Sequence, residues 1–112
     1  MASTLPPGKP FALDGLVTPT AQGFASRVLA RTAAGNITLF AFDAGQEMSE
    51  HTAPCDALVL TLSGAFVLTI AGREVRTTPQ SLVLLPANVP HAVHATELSR
   101  MMLIMLREQA GS

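Results

Sequence analysis

The chain has 112 residues, an apolar fraction of 48% and a net charge of −1, from seven Lys plus Arg against eight Asp plus Glu. That length and apolar content suit one domain with a single core, while 13% charged residues provide neither a basic stripe for a phosphate backbone nor a polybasic segment for a membrane surface. Nucleic acid is excluded as an expected partner, the more so because Trp and Tyr, the usual stacking platforms for bases, are absent.

The chain opens with MASTLPPGKPF, in which prolines and a glycine leave little to bury. Residues 1–12 read as a loose arm or an interface strap, residues 13–108 as the domain and residues 109–112 as a tail. The opening also lacks a basic stretch followed by an apolar run, so it does not read as a secretory leader.

After the arm, short apolar segments recur between Gly, Pro, Asn and Asp, the signature of an all-β chain. The expected strands are Ser26–Arg31, Asn36–Phe42, Met48–Thr52, Ala57–Ser63, Ala65–Ile70, Arg73–Thr77, Ser81–Pro86, His91–Ala95 and Ser99–Arg107. Turn residues fall between them at Ala33–Gly35, Asp43–Gly45, Ala71–Gly72 and Pro86–Pro90. The Met-rich run MMLIML contains good helix formers, but it has no 3.6-residue period and is read as a strand.

In the second of these strands Thr38, Phe40 and Phe42 alternate with Ile37, Leu39 and Ala41, so both faces are largely apolar. This pattern suggests a sheet whose outer face is covered by a partner. The mean hydropathy of +0.37 is high for so small a domain and points the same way. A homodimer is therefore expected. The runs LVLLPA and MMLIML are far too short to span a bilayer, and a lone Cys55 cannot build an internal disulfide. No membrane association is expected, and the location is expected to be cytoplasmic.

Two spaced motifs follow this strand pattern. The first reads Gly45, QEMSE, His51, Thr52, Ala53, PCD, Ala57, LVLTLS, Gly64, and the second reads Gln80, SLVLL, Pro86, Ala87, Asn88, VP, His91, AVH, Ala95. From about Val28 to Arg107 the chain resembles the small single-domain cupins. The resemblance implies an all-β jelly roll, also called a double-stranded β-helix. Both glycines and the first histidine of the family's first motif are in register, as are the proline and histidine of the second. Ala53 stands where the family has a second histidine, Ala57 where it has a glutamate, and Asn88 where it has a glycine. Gln80 and Ala95 are further departures.

In metal-holding members these motifs supply three histidines and a glutamate to Fe, Mn, Zn, Ni or Cu inside the barrel, as imidazole and carboxylate donors suit those cations. The resemblance thus implies His51 and His91 as metal ligands, with the other two positions lost. Asp56 is the nearest substitute carboxylate, although strand alternation aims it at the opposite face unless the loop at Pro54 shifts the register. Glu47 and Ser49 share parity with His51, which makes Glu47 a rival carboxylate. Cys55 is a nearby soft donor, but an isolated Cys is more often a small buried apolar residue. His94 differs in parity from His91 and is expected to face away or to sit at the interface.

Ala53 and Ala57 replace long polar side chains with methyl groups. With Phe40 or Phe42, Val59 and C-terminal methionines they are expected to form an apolar pocket. Three functions compete on this reading. One is a small-molecule-binding cupin with or without a loosely held divalent metal; another is a metal-dependent dioxygenase, isomerase or decarboxylase; the third is a structural module with a filled barrel. The first is favoured. No alternative nucleophile is evident, since Ser63 lacks a G-x-S-x-G setting and no phosphate-cradling glycine loop occurs.

Overall fold

The computed structural model describes residues 4–107. Nine strands follow one another: β1 Phe24–Thr32, β2 Gly35–Phe42, β3 Glu47–His51, β4 Asp56–Ser63, β5 Phe66–Ile70, β6 Arg73–Thr77, β7 Leu82–Leu85, β8 His91–Ala95 and β9 Ser99–Leu106. Every strand expected from the sequence is present, with no boundary displaced by more than two residues. Among the described residues the helical content is a single 3-10 turn, Leu13–Gly15, and none of the helices is long and apolar enough to cross a membrane. The expected tail, residues 109–112, lies outside the described residues.

The strands form two antiparallel sheets, ordered β1-β2-β9-β4-β7 and β3-β8-β5-β6. This is the jelly roll. The Met-rich β9 is a central strand of the larger sheet, paired with β2 on one side and β4 on the other. Such a position has apolar neighbours on both faces, which explains why its run shows neither a clean alternation nor a helical period.

The side chains between the sheets make the main core. Phe40 and Phe42 of β2, Val59 of β4, Phe66 and Leu68 of β5, Val93 of β8 and Met101 of β9 are all buried in one cluster. Phe42 meets Phe66 edge to face with ring centroids 5.4 Å apart, a preferred aromatic geometry that joins the two sheets. The buried Thr61 hydroxyl donates to Thr77 Oγ1 at 2.8 Å, and that oxygen also accepts from the Phe66 amide. Hydroxyls are thus accommodated inside the barrel because each is partnered.

A second cluster lies outside the larger sheet. Val17, Leu29, Leu39 and Ala41 are buried there, with Leu5, Leu16, Ile37 and Met102 packed against them. The amide of Leu5 donates to the Leu29 carbonyl at 3.0 Å, and Arg27 donates to the Leu16 carbonyl. The expectation that β2 owes its two apolar faces to a partner subunit is therefore corrected around Leu39 and Ala41. The cover there is the chain's own segment ahead of β1, and Leu5 is the point at which the expected loose arm is tied down.

Candidate functional site

His51 ends β3, His91 begins β8, and the two stand opposite each other in the ladder between those strands. Their rings meet at 70°, with centroids 4.4 Å apart. His51 Nδ1 lies 2.8 Å from the Ser49 carbonyl, and His91 Nδ1 lies 3.2 Å from the Val89 carbonyl. A carbonyl only accepts, so in each case Nδ1 carries the proton and donates it. Each neutral ring then keeps its Nε2 lone pair free for a ligand or a cation. His51 is exposed, whereas His91 is 7% exposed. Burial lowers the His91 pKa below 6.5; the Val89 carbonyl opposes that shift and the neighbouring His51 ring adds to it.

A bulge in β3 makes this pairing possible. Glu47 pairs with His94 and Met48 with Val93, but the next pair is His51 with His91. Ser49 and Glu50 thus stand against Ala92 alone, and the extra residue reverses the facing of everything beyond it. Met48 packs on the core while Glu47 turns outward, where its Oε1 is 3.3 Å from His94 Nδ1. The expectation that Glu47 shares a face with His51 is corrected for this reason. His94 faces away from His91, as parity predicts.

Asp56 is exposed, and its Oδ1 accepts from the Ala87 amide at 2.8 Å. Beside it, the Asn88 amide donates to the Ala53 carbonyl at 2.7 Å. These two bonds join the loop after His51 to the loop before His91. Asp56 is a brace between the segments that carry the imidazoles, and its tie to Ala87 accounts for its position better than ligation does. Ala57 faces inward, is buried, and stands opposite Leu85 and Met105 in the sheet. Ala53 is half-buried and Cys55 is buried.

Phe40 is also buried, and of the phenylalanines carried on strands the one that reaches the surface is Phe24. It lines an opening of about 440 Å³ together with Glu47, Met48, Ser49 and His51. None of Ala53, Ala57, Phe40 and Val59, the expected pocket walls, lines this opening; its polar lining is Glu47, Ser49 and His51. Phe24 lies two positions ahead of the start assigned to its strand from the sequence, and so it was not singled out. Its membership of the strand comes from pairing with Phe42, which left no local signal in the sequence.

The donor set does not fit the family's metal centre. Among the described residues no group of three or more His, Cys, Asp or Glu side chains is placed to hold an ion. The two carboxylates weighed as substitute ligands, Asp56 and Glu47, are already tied to Ala87 and His94. Stable catalytic zinc sites keep three protein ligands, and non-haem iron sites use two histidines plus a carboxylate.

The family described as Cupin domain matches residues 38–107 of the sequence. The chain is a cupin. It is similar to a conserved protein of unknown function from Streptococcus pyogenes, at 32% identity over 95% of this chain and 93% of that one, with a TM-score of 0.88. A cupin superfamily protein from Desulfitobacterium hafniense is 29% identical over 93% and 95% of the two chains, with a TM-score of 0.86. A cupin 2 conserved barrel domain protein from Leptotrichia buccalis is 32% identical over 87% of this chain and 47% of its own, with a TM-score of 0.82. No curated protein matches.

The backbone of this cupin shows what its motif positions require. Gln80 and Asn88, where the family has glycine, still adopt φ of 73° and 64°. The fold keeps the left-handed turn at both places although the sequence has lost the residue that makes it easy.

Proposed function

We propose that this cupin binds a small molecule at the mouth of its barrel, with His51 and His91 as the polar anchors. The observation that carries this reading is the adjacency of the two rings, each held by a backbone carbonyl so that Nε2 is left as a free acceptor. Such fixed polar groups beside an apolar wall are what a small-ligand site needs. A divalent ion such as Fe, Mn, Zn, Ni or Cu finds only two imidazoles here, and so would exchange readily. The metal-dependent enzyme, the runner-up, needs a third protein ligand that the described residues do not place beside the rings.

The test pairs a fragment screen by NMR with elemental analysis of protein purified without added metal. Fragments are expected to shift the ring resonances of His51 and His91, to lose binding in the His51→Ala, His91→Ala double variant, and to do so at substoichiometric metal. Stoichiometric metal that survives dialysis and disappears in the double variant would favour the enzyme instead.

We also infer a symmetric dimer through the outer face of the larger sheet. Ile37, Ile104, Leu58 and Leu84 stand side by side across β2, β9, β4 and β7, and Met102, Leu60 and Leu82 form the adjacent row. Leu82 and Leu84 are 57% and 50% exposed. On the same face, a mostly apolar groove whose lining includes Ala30, Ile37, Ile104 and Leu106, with Arg31 as its one charged residue, lies toward the opposite edge. A two-fold axis between ridge and groove sets each copy's leucines over the other's groove, and no charge in either row opposes that packing.

A further inference from the structure

We propose that Phe24 is a stacking platform that makes the His51 opening selective for a flat ring bearing a hydroxyl group. This rests on the binding reading above and adds the chemical class of the ligand. Phe24 is registered opposite Phe42 and shares its inward face. Its ring stacks on that of Phe42, with centroids 5.0 Å apart and planes 26° from parallel, and lies 6.1 Å from the Phe40 ring. Phe42 is fully buried and Phe40 nearly so, which fixes the inner side of the platform. Phe24 nevertheless stays 41% exposed, in the opening that it shares with Met48 and His51.

An exposed phenyl on the inward face of a strand differs from the exposed leucines: Leu82, Leu84 and Leu106 stand on the outer face of the larger sheet, Leu98 lies in the bend before β9 and Leu13 in the 3-10 turn. Its free surface prefers an offset or edge-on aromatic partner, and the Met48 thioether beside it favours the same kind of ring. The hydrogen-bonding requirement comes from His51. With Nδ1–H given to Ser49, the neutral ring offers an acceptor, so the ligand has to bring a donor. A phenolic or enolic hydroxyl on a planar ring meets both demands at once. A carboxylate does not, because it brings no donor to Nε2 and meets Glu47 at the rim.

The test follows backbone amide and histidine ring shifts by NMR during titration with phenol, cyclohexanol and benzoate. Phenol is expected to give saturable shifts centred on Phe24, Met48 and His51, with an affinity about fivefold above that of cyclohexanol, the middle of the range for an aromatic stack. Benzoate is expected to give none. Phe24→Leu, which keeps an apolar side chain of similar bulk, should bring phenol down to the level of cyclohexanol and leave cyclohexanol within about twofold, whereas His51→Ala should weaken both. Equal binding of the two alcohols, or a phenol preference that survives Phe24→Leu, overturns the platform and leaves the binding reading standing. Absence of any shift at His51 with either alcohol overturns both.

Discussion

The Asp56 carboxylate accepts the amide proton of Ala87 across 2.8 Å and 31 positions of sequence. It thereby bridges the two loops that deliver the paired imidazoles. A carboxylate weighed as a substitute ligand instead holds the frame of the site together.

Asp56→Ala should accordingly cost about 1 kcal/mol, the usual worth of a charge-assisted bond at an exposed position. Urea unfolding measures that loss. Native-state amide exchange should also quicken at Ala87 and Asn88 more than elsewhere, and uniform acceleration would contradict the brace.

The lowered pKa of His91 sets a pH dependence. The folded state binds a proton there less readily than the unfolded chain, whose histidine titrates near 6.5. Above that value both states are neutral and nothing is lost. As the pH falls through it the unfolded chain takes up the proton first, so stability declines toward pH 5. Urea midpoints at pH 8, 7, 6 and 5, compared with those of His91→Gln, should show the wild type losing ground over this window. A pH-independent difference between the two proteins would remove the effect.

The left-handed positions predict opposite outcomes. Gly64 has φ of 74°, and a Cβ placed there runs into the Ser99 side chain and the Leu98 carbonyl. Gly64→Ala should cost on the order of 3 kcal/mol from strain and overpacking together. Gln80→Gly relieves a left-handed non-glycine at the expense of a looser unfolded chain. A net gain of about 0.5 kcal/mol is expected, readable as a higher thermal midpoint.

Light scattering at micromolar concentration should give a mass close to twice 11.7 kDa. Leu84→Glu, which puts a charge into the exposed leucine ridge, should return the protein to a monomer without lowering its unfolding midpoint in dilute solution. A wild-type monomer would dismiss the interface.

Much of the fold was legible because each strand is short and bounded by turn formers, so local pattern and final structure agree. Ser26 as the expected start of β1 shows the limit. Phe24 and Ala25 belong to that strand through pairing with Phe42 and Ala41, a long-range condition that local composition does not contain. The same holds for Glu47. Alternation assigned it to the face of His51, and a single bulged residue opposite Ala92 sent it to the other side.

The sequence by itself determined the strand succession and, through its resemblance to the family's motifs, two histidines at the family's ligand positions, because these depend on periodicity and spacing along the chain. Only the tertiary structure decided that the rings lie edge to face, that Asp56 serves Ala87, that Leu39 and Ala41 are covered from within, and that Phe24 lines the same opening as His51. Each of these depends on which strands become neighbours and where their register slips, and hydrogen bonding between distant segments fixes both.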